Sequence, residues 1–300
     1  MNDIVLYCKS YRKDFLRLKR LYISIQKFNR DLIPFYISTP EHDKKLLFEV
    51  LGEGSNFLWV SDEEIVRCNP RINLEKFFSI PGHKTQAIVK SEFWRLKISE
   101  NYVCLDSDSF FIGNFRKKDF LNTNGDPYTV LHQNKELFQL AINRGYTKFV
   151  RNLQNEAEKT KKLFSRDGPN FFCAPAPFIW SSKVWQELDQ NFLNQGKETL
   201  LDLFLQGYPE TLIYGEALLK YQSIPMLFIE PLFKVYHFDW QYYLAKRIGE
   251  DNLKLSQNYL GIIYQSNWES ELDYGISSKK FFSRILKKAK RFLRYLESYI

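Results

Sequence analysis

Residues 102–112 read Tyr-Val-Cys-Leu-Asp-Ser-Asp-Ser-Phe-Phe-Ile, two apolar runs separated by a pair of carboxylates, Asp106 and Asp108. Both runs have the composition of strands. Burying charge is costly unless it is paired or metal-bound, so two acids at the end of a buried strand need a reason. Residues i and i+2 of an extended segment project to the same side. Two carboxylates there make an oxygen site suited to Mg2+ or Mn2+, cations often shared with substrate phosphates. The alternative is a strand-to-loop turn in which Asp and Ser hydrogen-bond their own backbone.

Upstream, the chain alternates. Residues 4–8 read as a strand, and 15–28 carry apolar residues at helical spacing (Phe15, Leu18, Leu21, Tyr22, Ile25, Phe28). A second strand is expected over 34–38, a helix over 42–51 and a third strand over 57–60. This alternation predicts an α/β fold, a mainly parallel sheet with helices on its faces. Ligands of such sheets sit at the carboxyl ends of the strands, where residues 9–12 and 106–109 fall. A helix over 82–98 precedes the aspartate strand, with Gln86 and Lys90 on one face. Downstream, 128–131 reads as a strand and 136–166 as a polar helical insertion or lid. Residues 171–180 form a Pro-broken apolar segment. Helices follow over 183–192, 199–205 and 211–221, and late strands over 226–229 and 235–238.

The chain has 300 residues, 44% of them apolar, enough for a large core in one elaborated domain. Aromatics reach 17%, which suits a dense core and stacking surfaces equally. Cys8, Cys68, Cys104 and Cys173 show no paired spacing, which suits a reducing compartment and gives no zinc signature. No segment approaches a membrane span, and the first residues lack a basic n-region, so a cytoplasmic location is expected. Most of the net charge of +8 lies in residues 279–300, where eight basic residues face Glu297 alone. Apolar residues there recur at helical spacing from Phe281 to Leu296. The pattern predicts a basic amphipathic helix, either packed on the body or resting on an anionic membrane surface.

His237 closes an apolar run and would complete an oxygen and nitrogen shell for Mn2+ if the sheet brought it beside the aspartates. Lys84 or Lys90 would neutralise a metal-bridged diphosphate and Gln86 hold a base or ribose, unless these residues are a solvated helix face. Glu210 and Glu216 are candidates for the general base, Glu210 favoured, against a plain capping or surface role. There is no Gly-x-x-x-x-Gly-Lys-Ser/Thr loop, no complete dinucleotide fingerprint, no Gly-x-Ser-x-Gly elbow and no zincin spacing.

Taken together, residues 102–115 resemble the Asp-x-Asp strand of GT-A glycosyltransferases, in the flavour of bacterial surface-polysaccharide transferases distantly similar to glycosyltransferase family 8. Gly82-His-Lys-Thr-Gln-Ala-Ile-Val-Lys90 is similar to the helix those proteins place before the motif. Glu210-Thr-Leu-Ile-Tyr-Gly215 resembles their Glu-x-x-x-Tyr-Gly element, and Ile262-Ile-Tyr-Gln-Ser-Asn267 their final core strand. The resemblance covers residues 1–268 and leaves 269–300 outside.

It implies a GT-A, Rossmann-like sheet and a nucleotide-diphospho-sugar donor. Mn2+ or Mg2+ would be held by Asp106 and Asp108, with His237 as the late ligand. The Gly and Lys-Pro that usually follow that histidine in family 8 are absent here. On this reading Tyr7, Lys9, Ser10, Arg12, Lys84, Gln86, Lys90, Asp106 and Ser107 contact the nucleotide sugar. The acceptor would be a glycan or lipid-linked molecule at the inner face of a plasma membrane, with no nucleic acid involved. The rival expectations are a non-catalytic basic module docking on membrane or nucleic acid, and a metal-dependent phosphoesterase.

Overall fold

The computed structural model describes residues 2–52, 54–173 and 176–264, together with positions 289, 292, 293 and 296. The expected basic helix over 279–300 therefore lies outside the described residues, apart from those four positions.

Strand β1 (Asn2–Lys9) is buried from Ile4 onward, as expected of a strand covered on both faces. It leads through a 3-10 turn into α1 (Phe15–Phe28), which buries Phe15, Leu18, Leu21, Tyr22 and Ile25 along one stripe. The alternation continues through β2 (Phe35–Thr39), α2 (Lys44–Leu51) and β3 (Leu58–Ser61). Two short helices follow, α3 (Asp62–Arg67) and α4 (Leu74–Ser79), and then α5 (Gly82–Glu92), which continues as a 3-10 turn to Leu96. Helix α3 starts where Ser61 accepts a hydrogen bond from the Glu64 backbone, with Asp62, Glu63 and Glu64 in its first turn.

Strand β4 (Ser99–Leu105) then enters the middle of the sheet beside β1, with Tyr7 opposite Cys104 and Cys8 opposite Leu105. The sheet order is β3-β2-β1-β4-β9, the first four strands parallel and β9 (Phe178–Ser181) antiparallel to β4. The chain leaves β1 toward β2 on one side and meets β4 on the other. That reversal opens a crevice at the carboxyl ends of β1 and β4.

β5 (Ser109–Phe111) is followed by β6 (Tyr128–Thr129), β7 (Leu131–His132), α6 (Lys135–Asn143), α7 (Thr147–Leu163) and β8 (Phe172–Cys173). The single strand expected over 128–131 is thus two short ones, and each finds a different partner. β6 pairs with β10 (Leu227–Phe228), and β7 pairs with β8. After β9 come α8 (Ser182–Leu188), a π-helical turn, α9 (Asn194–Gly196), α10 (Leu200–Leu205) and α11 (Glu210–Tyr221). α6 and α7 share a small apolar cluster with Phe172 and Leu212. The last elements are β11 (Phe233–Tyr236), α12 (Asp239–Arg247), α13 (Asn252–Leu255) and β12 (Gly261–Tyr264).

The aromatic residues are spent largely on the core. Tyr7 stacks on Phe93 at 3.8 Å, and Tyr102, Trp180, Trp185 and Tyr214 form a chain of edge and tilted contacts. β12 lies between β11 and β5 in a second sheet. Gly261 permits that approach, since a Cβ there would sit 2.5 Å from the Phe233 ring and 2.6 Å from the Phe110 carbonyl oxygen. Backbone cannot swing aside as a side chain can. Gly261→Ala should destabilise the fold by about 1–3 kcal/mol, read as a lowered urea midpoint. An unchanged midpoint would mean that the three strands part without cost.

Candidate active site

The aspartate pair sits on a turn. β4 ends at Leu105, and the Ser109 N–H and Oγ–H both donate to the Asp106 carbonyl, at 3.0 and 2.6 Å. The extended i, i+2 geometry expected for Asp106 and Asp108 is therefore replaced by a tight reversal, because Ser109 closes it locally. Both residues nevertheless line one cleft of about 840 Å3 at the carboxyl ends of β1 and β4. Asp106 keeps about a third of its side chain exposed, whereas Asp108 is buried. The Asp108 carbonyl accepts from the Arg20 guanidinium at 3.1 Å and from the Tyr264 N–H at 3.3 Å. Arg20 lies 4.5 Å over the Phe110 ring. α1 and β12 thus hold the turn from two sides.

Lys90 reaches the cleft from α5 and pairs with Asp106 at 2.5 Å. Burial works against the Lys90 ammonium, but the field of Asp106, with Cys104 and Glu210, outweighs it and holds Lys90 above the usual lysine range. Glu210 starts α11 and lines the same cleft. Its pKa is raised by burial, against the Lys90 charge that lowers it, and Asp106 raises it further. Asp106, Lys90 and Glu210 are therefore electrostatically one group.

The end of β1 forms the other wall. Lys9 is buried, pairs with Asp62 at 2.8 Å and donates to the Ser10 carbonyl. Burial raises the Asp62 pKa, and Lys9 opposes that rise. Ser107 Oγ donates to Ser10 Oγ at 3.0 Å, which stitches the aspartate turn to β1. Arg12 is held by Asp43 through its Nε at 2.6 Å and its backbone N–H at 3.1 Å. Gln86 also lines the cleft.

Several expected site residues lie elsewhere. Tyr7 is fully buried beneath the cleft, its hydroxyl 2.8 Å from Ser38 Oγ, so it supports the floor and reaches no ligand. Lys84 is exposed on the first turn of α5 and does not line the cleft. Glu216 is buried in a two-pronged pair with Arg166, at 2.5 and 2.8 Å. Six residues along a helix turn through about 240°, so Glu210 and Glu216 leave α11 on different sides. Glu216→Ala should cost about 1–3 kcal/mol of stability, since the half-buried Arg166 guanidinium loses its carboxylate but keeps the Asp167 and Pro169 carbonyls. Any activity, measured per folded molecule, should persist. A proportionate fall in kcat with stability intact would return Glu216 to the catalytic group.

His237 lines a second cleft with His132, not the one that holds the aspartates. The structure does not bring it to Asp106 and Asp108. Among the described residues, no group of three or more His, Cys, Asp or Glu side chains stands ready to hold a metal. Burial, aided by His132, lowers the His237 pKa from 6.5 to about 4. The unfolded chain then binds the proton more tightly than the fold. The resulting stability is complete above pH 6.5 and is lost as pH falls towards 4. His237→Gln should flatten that acid limb, by up to about 3 kcal/mol, in urea midpoints taken at neutral and acid pH. Midpoints that fall as steeply in the variant would assign the acid limb to other groups.

Asp62, Asp43 and Arg20 were not foreseen. Asp62 carried a signal, the Ser61-x-x-Glu64 pattern of a capped helix. Arg20 carried none, since a cation on a helix reads the same whether it faces solvent or clamps a loop.

The chain belongs to the family of unknown function DUF6492, whose profile matches residues 3–271. No curated protein matches it. Among solved structures it is similar to the apo form of mouse xyloside xylosyltransferase 1, with a TM-score of 0.48 and 9% identity. That alignment covers 88% of this chain and 98% of that one.

Proposed function

We propose that this protein is a metal-dependent glycosyltransferase that takes a sugar from a nucleoside-diphospho-sugar and passes it to a glycan or lipid-linked acceptor. One observation carries the reading: two carboxylates, a buried lysine and a glutamate of raised pKa converge on one cleft where a parallel sheet reverses its order.

The donor set fits a hard divalent cation. Asp106 and Asp108 offer carboxylate oxygens only, and such cations commonly complete their shell with water and substrate phosphate rather than a full protein cage. When bound, Mn2+ or Mg2+ would supply Lewis-acid neutralisation of the leaving diphosphate. The rest falls to this chain. Lys90, charged and fixed, lies where negative charge grows as the sugar–phosphate bond breaks. Lys9 and Arg12, locked by Asp62 and Asp43, would set the donor's orientation without side-chain motion. Glu210 would accept the acceptor hydroxyl's proton, and its raised pKa makes it a better base than an ordinary carboxylate.

Incubation with a panel of nucleotide sugars and Mn2+, followed by an assay for free nucleoside diphosphate, tests the reading. Release of diphosphate from at least one donor is expected. Release of inorganic phosphate from model esters instead would favour the phosphoesterase. No turnover of any donor, with binding confined to membranes or nucleic acid, would favour a docking module. The segment 279–300 is proposed to rest on anionic lipid, and its deletion should leave donor hydrolysis in solution unchanged.

A further inference from the structure

The cleft that contains His237 has no part in the chemistry proposed above. It measures about 780 Å3 and is walled by four separate stretches of the chain. These are residues 132–140 at the end of β7 and the start of α6, Phe171, the stretch from Glu230 to Gln241 that carries His237, and Tyr259. So many contributors make it a built feature of the fold rather than a surface crease.

Its electrostatics are balanced. Lys135 and Lys234 stand against Glu136 and Glu230, so the fixed charges cancel. His132 and His237 both titrate below the usual histidine value, because burial disfavours their cationic forms, and they are neutral at pH 7. A phosphate or nucleotide would meet two carboxylates here, and a cation would meet two lysines.

The lining is polar all the same. The Nε2 atom of His132 is buried with no hydrogen-bond partner among the described residues. Among the described residues, Gln241 spends only its carbonyl oxygen, on the Phe238 N–H at 2.9 Å. Gln133 adds a second planar amide, and Phe171 and Tyr259 add half-buried rings, each with a cation over one face, Arg166 at 5.5 Å and Lys234 at 5.8 Å. Buried polar groups require partners, so a purely apolar occupant would leave them unsatisfied. An uncharged molecule with many hydroxyls and apolar C–H faces would satisfy both the amides and the rings.

The geometry points to a second ligand site in this cleft, one that binds a neutral oligosaccharide of about two or three sugar units, a size that the volume admits. Its role as a holding site for the acceptor chain rests on the transferase reading. The binding itself does not.

Saturation-transfer NMR on the full chain with maltotriose, cellotriose, xylotriose and mannotriose tests it, with methyl phosphate, which carries C–H protons, as the charged competitor. At least one trisaccharide should show transfer, and excess methyl phosphate should not reduce it. Gln133→Ala and Tyr259→Ala, each checked for an unchanged melting temperature, should weaken binding by about tenfold, the expected loss for one or two contacts. Should Tyr259→Ala fail to fold, Gln133→Ala decides alone. Asp108→Asn should bind as the parent does. Absence of binding by every trisaccharide would overturn the assignment, and so would binding that survives Gln133→Ala but vanishes in Asp108→Asn. Saccharide binding without nucleoside-diphosphate binding would leave this site standing and remove the transferase.

Discussion

Asp108→Asn is expected to lower metal-dependent donor turnover by at least about 100-fold, since a lost carboxylate ligand forfeits several kcal/mol of charge stabilisation at about 1.4 kcal/mol per tenfold. The change keeps the shape of the side chain and removes its charge. Backbone anchors of the turn, from Arg20 and Tyr264 to the Asp108 carbonyl, do not involve the carboxylate and should survive. Turnover is therefore compared per folded molecule, with the folded fraction of parent and variant measured alongside. Donor turnover that is equal in parent and variant would show that Asp108 has a structural role only.

Lys90→Met should also be severe, by about 100- to 1000-fold in kcat, the range seen when a fixed donor to developing negative charge is removed. The side chain is 5% exposed, so methionine fills much the same buried space. Asp106 loses its partner but still faces water along about a third of its surface, which allows hydration in place of the ammonium. The variant should consequently fold. Its Glu210, freed from the lysine's lowering field, should titrate higher still, shifting the acid limb of any residual pH–rate profile upward. Full activity in Lys90→Met would mean that the lysine merely neutralises Asp106 in the resting fold.

The periodic parts of the fold were legible. The strand–helix–strand opening was expected, and α1 spans the same residues, 15–28, because one apolar stripe runs its whole length. Short helices escaped. α3, α4 and α13 span four to six residues each, too few for a periodic pattern to declare itself. α12 was hidden by a run of aromatics that reads equally as strand. The Pro-broken stretch before β9 gave no hint that its end joins the main sheet antiparallel beside β4.

At the site, residues with a local signature were readable: the acid pair, Lys90 on its helix face and Glu210 at a helix start. Their partners were not. Lys9 finds Asp62 and Arg12 finds Asp43 only because β1, β2 and β3 lie side by side, a juxtaposition without trace in local sequence. His237 misled for the converse reason. A histidine ending a strand looks the same whichever cleft the strand serves.

Thermal shift of the full chain against a panel of nucleoside diphosphates, each with and without Mn2+, addresses the cation and its pyrophosphate together. At least one nucleoside diphosphate should raise the melting temperature only when Mn2+ is present, and Asp108→Asn should erase that metal-dependent rise. A rise of equal size without the metal, or one undiminished in Asp108→Asn, would contradict the account.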